Sequence, residues 1–285
     1  MKRMLWPLLA AAAYASGGTL APLGSPVEPV AAAVTLADLV VTSPATVAPT
    51  SSALRGAREQ VIPLPSAPQD LACVPGRPVP DAALVVVDVR SFGSSALLQL
   101  LRRDGPRWVC DGPRMDARVG RSGVRELTQR VGGDGSTPGG VFGLGQMTAP
   151  NGDEFSFFGN GSDPGVTGGW HQVQPNDCWW ADPGTAEYNT LVSASQAGCT
   201  GENEYLAANV QTYSRAALID ANMGPTRIGD ERGETPRAAA IFLHRHGYTA
   251  EGATRPTSGC VSLSESDLAF VLVKLIPAQA WFVIN

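Results

Sequence analysis

The feature that most limits the fold is the spacing of the apolar runs. From Ala83 onward they are short, rich in β-branched residues and broken at close intervals by glycine and proline. Residues 83–89, Ala-Leu-Val-Val-Val-Asp-Val, read as a strand by length and branching. Residues 96–102, 107–110 and 115–119 read as further strands, separated by the Asp-Gly turns at Asp104-Gly105 and Asp111-Gly112. Many short strands with Gly- and Pro-rich connections predict a mainly β domain, sandwich- or barrel-like, with a few short helices. The helices are expected at 188–195 and 204–211, with a strand at 213–219 between the second of them and the region below. A further helix follows Ser264, which with Asp267 resembles a capping box with Asp in the Glu/Gln place. Leu268, Val271, Leu272 and Leu275 recur on one helical face, Pro277 ends it, and 281–284 reads as a last strand.

The N-terminal part has a different character. Lys2-Arg3 precedes an apolar core from Leu5 to Ala15 that is too short for a membrane span, so residues 1–33 read as a secretory signal. Cleavage is expected after Ala15, with Ala33 as a later candidate. Residues 34–70 are rich in Ala, Pro, Thr and Ser and poor in aromatics, the composition of an extended linker. The folded part is expected over 71–285, ample for one core. The formal charge is −5, which argues against a nucleic-acid partner. The implied destination is outside the cytoplasm: secreted, periplasmic or in the cell wall.

An exported chain meets oxidising conditions, where cysteines pair. There are five, Cys73, Cys110, Cys178, Cys199 and Cys260. Proximity in sequence favours Cys73 with Cys110 and Cys178 with Cys199, leaving Cys260 as the odd thiol; the alternative is a paired Cys260 and a different free cysteine.

Cys260 lies in an informative stretch. Residues 240–243 are apolar and read as a strand running to His244; a polar loop from Gly247 through Arg255-Pro256 follows; Thr257-Ser258-Gly259-Cys260 then re-enters apolar sequence. Strand, loop and strand would bring the His244 imidazole beside the Cys260 thiol. A cysteine nucleophile needs that pairing, since the thiolate attacks while histidine takes and returns the proton. Gly259 allows close backbone approach and aims N–H groups at a developing oxyanion. The plainer alternative is that Cys260 is a small buried apolar residue. The glycine-rich run 133–140 lacks the Gly-Lys-[Ser/Thr] of a phosphate loop and reads as a turn into a strand. Residues 147–178 have weak periodicity and read as a functional loop or lid, in which Trp170, His171 and Trp180 are candidates to line a groove. His244 and His246 alternate onto one strand face, so with His171 or Cys260 they also form a candidate zinc set. No acidic residue stands at a convincing ligand spacing, and His246 otherwise reads as a groove or surface residue.

Taken together, these residues resemble the L,D-transpeptidase catalytic domain family, the YkuD-type domain of bacterial cell-wall enzymes. His244 falls in the place of the family histidine, Thr257 in the [Ser/Thr] place, and Gly259, Cys260 and Val261 match the Gly-Cys-apolar core of the motif. Residues 134–142, Asp-Gly-Ser-Thr-Pro-Gly-Gly-Val-Phe, resemble the upstream Thr-Pro element. Ser258 replaces the motif's second histidine, and Ser262 replaces the Arg or Asn two places after the cysteine. The resemblance implies an exported acyltransferase that needs no cofactor. Cys260 would attack a peptidoglycan stem tetrapeptide, release D-Ala and pass the thioester to a second stem or to water. It further implies that the C=O of Arg245 orients His244 and that Gly259, Cys260 and Ser258 supply oxyanion donors. Thr257, Arg255, Trp170, Trp180 and His246 would meet substrate, with Arg255 standing in for the lost charge at 262. Carbapenem-type inhibitors are expected ligands, and no stable protein partner is expected. The other readings are a zinc-dependent endopeptidase and an inactive wall-binding module.

Overall fold

The computed structural model describes residues 73–225 and 227–285; the expected signal and linker, 1–70, lie outside them. The described residues form sixteen strands, one α-helix and two 3-10 turns, so the fold is mainly β. Strands β1 (Val85–Phe92), β2 (Ser95–Asp104) and β3 (Arg107–Arg118) make an antiparallel meander. β4 (Val124–Glu126) pairs in parallel with β5 (Thr137–Gly143). β6 (Met147–Thr148) and β7 (Glu154–Phe155) form a two-stranded ribbon. β8 (Phe157–Gly159) and β9 (Trp170–Gln172) follow. A three-stranded sheet then has β10 (Asp177–Trp180) between β11 (Thr190–Ser193) and β12 (Glu204–Tyr205). The chain closes with β13 (Ala216–Leu218), β14 (Phe242–Arg245), β15 (Val261–Leu263), helix α1 (Glu265–Leu272) and β16 (Ala280–Ile284).

Eleven strands join in one sheet, ordered β4-β5-β16-β1-β2-β3-β15-β14-β13-β8-β9. The sheet curls. The chain after β5 meets the end of β13, where Gly145 N–H donates to Leu218 C=O at 2.9 Å and Asp220 N–H donates to Gly143 C=O at 3.0 Å. The large core fills this curl. Strands β13 to β15 divide it from a second core by alternation of side chains. Ala217, Leu243, Val261 and Leu263 enter the large core with Leu98, Met115 and Phe282. Ala216, Leu218, Phe242 and Cys260 enter the second with Phe158, Trp179 and Tyr213.

Helix α1 covers the large core. Ser264 is its N-cap, and its hydroxyl accepts from Asp267 N–H at 3.1 Å. Leu268, Val271, Leu272 and Leu275 are all fully buried. The helix ends at Leu272, before Pro277 is reached.

Three expectations are corrected. The runs 107–110 and 115–119 belong to one strand, β3. Asp104-Gly105 does open a hairpin, with Gly105 at φ +59°, but Gly112 at φ +116° sits inside β3 where the pairing slips between Gln99 and Leu101. A β-carbon at Gly112 would stand 2.6 Å from the Phe270 ring, so the glycine makes room for α1. The helices expected at 188–195 and 204–211 are replaced by β11 and by β12 with a 3-10 turn at Leu206–Ala208. Pairing with β10 on both of its edges overrides local propensity there. Residues 147–178 are not structureless; they carry β6 to β9 and bury Phe155, Phe157 and Phe158 completely.

Two disulfides, Cys73–Cys110 and Cys178–Cys199, tie the start of the described chain to β3 and β10 to the loop before β12. Cys199 of the second lies between the stretches where the two helices were expected. Among the described residues no helix is long and apolar enough to cross a membrane.

Candidate active site

Cys260 is free and buried at the mouth of β15. Parallel pairing of β14 with β15 sets Leu243 beside Val261 and His244 beside Ser262. Alternation then turns His244, Cys260 and Ser262 to the same face, away from the large core. Both Cys260 and His244 line a cavity of about 690 Å³ with Arg130, Tyr188, Glu204 and Tyr213. That volume suits a small-molecule or peptide terminus.

The imidazole is oriented by the main chain. His244 Nδ1 donates to the C=O of Arg245 at 2.6 Å, which leaves Nε2 as the acceptor. The Tyr213 ring packs edge-on against it, 5.5 Å between centroids. Burial pushes the His244 pKa down to about 4, and the neighbouring His246 pushes in the same direction.

The sulfur is held differently. Cys260 Sγ donates to the C=O of Ala240 at 3.2 Å and accepts from Phe242 N–H at 3.4 Å. Ala240 adopts φ +54°, a conformation that disfavours any side chain with a β-carbon. Asn189 accepts its N–H at 3.0 Å and offsets part of that strain. Burial, then the charge of Glu204, pushes the thiol pKa up to about 12, against smaller opposing effects of Phe242 N–H and Arg130. The resting pair is therefore neutral thiol and neutral imidazole.

The loop before the sulfur is pinned from two sides. Thr257 Oγ1 donates to Cys260 C=O at 2.6 Å and accepts from Gly259 N–H at 3.2 Å. Thr137, from the upstream Thr-Pro run, also donates to Cys260 C=O, at 3.2 Å, and accepts from Gly120 N–H at 2.7 Å. The two sequence motifs thus meet at one carbonyl. Gly259 N–H is taken up by Thr257, whereas the N–H groups of Ser258 and Cys260 have no partner among the described residues. Ser258 is exposed on the rim, with Arg121 Nη1 3.5 Å from its hydroxyl. Arg255 is exposed at the cavity mouth, its main chain fixed by Gly247 C=O at 2.8 Å. Arg245 points away and pairs with Glu265 at 3.2 Å.

Other candidates lie elsewhere. Trp170 packs against the large core and Trp180 sits on β10; neither lines the cavity. Trp170 here covers core, one of the two uses that the sequence left open. His246 is buried outside the cavity, its Nδ1 2.9 Å from Ser262 Oγ. His171 pairs with Asp177 at 2.7 Å and stacks on Phe155. Among the described residues no three His, Cys, Asp or Glu side chains gather to hold a metal, so the candidate zinc set is not assembled.

Two charged cavity residues, Arg130 and Glu204, carried no sequence signal. Arg130 is buried, with Nε on Ser136 C=O at 2.9 Å and Nη1 on Arg237 C=O at 2.6 Å. Its Nη2 lies 3.2 Å from where a β-carbon on Gly259 would stand, so the glycine eases this approach. Glu204 accepts from Tyr213 O–H at 2.5 Å, and burial raises its pKa. Single charged residues at no motif spacing look like surface charges in a sequence.

Compared with protein-family models, curated proteins and solved structures, the chain matches none of them.

Proposed function

We propose that the described domain is an L,D-transpeptidase-like catalytic domain and that the protein, exported to the cell wall or periplasm, is a cysteine acyltransferase acting on peptidoglycan stem tetrapeptides. The observation that carries this reading is the free Cys260 thiol and the main-chain-oriented His244 imidazole lining one cavity from one sheet face. The resemblance of both motifs, and their meeting at the Cys260 carbonyl through Thr137 and Thr257, support it. In the first half-reaction Cys260 Sγ bonds to the carbonyl carbon of the third stem residue while His244 Nε2 takes the thiol proton. With pKa values near 12 and near 4, a free ion pair lies far uphill, so attack and proton transfer proceed together. The N–H groups of Ser258 and Cys260 receive the oxyanion. The C–N bond then breaks and His244 returns the proton to the departing D-Ala amine. In the second half-reaction an amine of another stem, or water, attacks the thioester and restores the thiol.

Incubation with a disaccharide-tetrapeptide, with products weighed, tests this. Loss of D-Ala with a cross-linked dimer or a tripeptide is expected. A carbapenem should add one covalent mass to the wild type and none to Cys260→Ala. One observation favours a second reading, an inactive wall-binding module: the thiol donates to Ala240 rather than to His244. An unmodified wild type after carbapenem exposure would decide for that module.

A further inference from the structure

The hairpin between β2 and β3, at the end of β3 away from the cavity, carries charges that no ion pair uses. Asp104 and Arg107 close it, and the next pairs are Arg103 with Trp108 and Arg102 with Val109. Arg102 and Arg107 are exposed, and the Arg103 guanidinium lies 5.1 Å over the Trp108 ring. Among the described residues none of the three arginines forms a salt bridge. Asp104 is the only acid in the turn, so the tip is basic in a chain whose formal charge is −5. Leu84 lies across the sheet from Arg103, whose N–H donates to its C=O at 2.8 Å, and is 44 % exposed. An aliphatic side chain, a guanidinium and an indole therefore stand in one row. Trp108 is half-buried against a small core of Ala83, Val86, Leu101 and Val283, which holds that row in place. Cys110, two residues past Trp108, is bonded to Cys73, so the segment read as an export leader and linker joins the domain beside the row.

Cations alone would suit any polyanion. The row adds an exposed leucine and an indole beside long guanidinium stems, the mixture that settles at the headgroup boundary of a bilayer. We propose that the β2–β3 tip with Leu84 is a docking surface for an anionic phospholipid bilayer. Arg102, Arg103 and Arg107 meet headgroup phosphates, while Leu84 and the edge of Trp108 enter the boundary. At roughly 3.3 Å per residue the tip stands about 35 Å along β3 from Arg118, which pairs with Ser262 next to His244. Docking therefore leaves Cys260 and His244 remote from the lipid, and the inference does not depend on the chemistry of Cys260.

The full chain is mixed with vesicles of phosphatidylcholine and phosphatidylglycerol in equal parts, or of phosphatidylcholine alone, with bromine on the acyl chains. Docking is read at the tip, as the fluorescence quenching that each protein shows and its own Trp108→Phe form lacks. Lipid contact by residues 1–70 drops out of that difference. Tip quenching should appear with the mixed vesicles, fade as salt is added and be absent with phosphatidylcholine alone. Changing Arg102, Arg103 and Arg107 together to Gln should weaken docking about 10²-fold, and Arg107→Gln alone about fivefold. Leu84→Ser should weaken it about tenfold. The melting temperature and the alkylation rate of Cys260 by iodoacetamide should stay as in the wild type. Equal tip quenching by the two kinds of vesicle, or tip quenching that survives in the triple variant, overturns the proposal. Arginine-dependent binding of soluble polyphosphate without tip quenching by either vesicle also overturns it and makes the hairpin a site for a polyanion instead.

Discussion

The two faces of the β14–β15 ribbon are made by the same few residues and have opposite characters. One face carries Leu243, Val261 and Leu263, all fully buried under α1 in the large core. The other carries Phe242, His244, Cys260 and Ser262, of which His244 and Cys260 line the cavity. A shift of one residue in either strand would exchange them. The stability of the first face is what fixes the chemistry of the second, because register is set by what must be buried. Substitutions on the two faces should therefore separate cleanly into loss of reaction and loss of fold.

The largest effect is expected from Cys260→Ala. It should abolish carbapenem labelling and stem-peptide turnover while leaving the melting temperature close to wild type, measured by mass spectrometry and calorimetry. Residual turnover would place the reaction on another group. Next comes His244→Gln, with turnover down by about 10²–10⁴. The same variant has a pH signature. The folded state resists protonating His244 until about pH 4, while the unfolded chain takes the proton near its ordinary value of 6.5. Between those values the unfolded state binds more protons, so wild-type stability falls as pH drops through that window. In His244→Gln that part of the fall disappears. Identical pH-stability curves for the two proteins would show that the imidazole is not desolvated as described.

On the apolar face, Leu243→Ala removes a fully buried side chain from the large core. A cost of about 2–5 kcal/mol in denaturant unfolding is expected, with Cys260 labelling intact in the fraction that stays folded. Labelling lost at full stability would mean that the faces are coupled more tightly than alternation implies.

The contrast also explains which parts were readable beforehand. β1 and β16 announce themselves through β-branched residues, β2 and β14 through short apolar runs, and α1 through Ser264 with its apolar stripe, because local pattern and tertiary packing agree there. His244 and Cys260 were legible as residue types separated by a loop. The polar wall was not. Arg130, Glu204 and Tyr213 come from separate segments, and Glu204 reaches the cavity only because β12 pairs with β10 near the Cys178–Cys199 bridge. The strained Ala240, whose carbonyl holds the thiol, is equally silent, since alanine gives no hint of a left-handed backbone. Pairing partners chosen over long sequence distances are what a local pattern lacks.

The smallest effect tests the helix that seals the apolar face. Ser264→Ala removes the hydroxyl that caps Asp267 N–H at 3.1 Å and should cost about 1 kcal/mol. The cap lies next to Glu265, which pairs with Arg245 on β14, one residue from the imidazole. If the faces are independent, thermal unfolding shifts down slightly while the alkylation rate of Cys260 and its pH profile stay unchanged. If instead the alkylation rate rises with the loosened helix, the orientation of His244 by the Arg245 carbonyl depends on α1 as well as on strand register. The ribbon would then transmit packing from one face to the chemistry of the other.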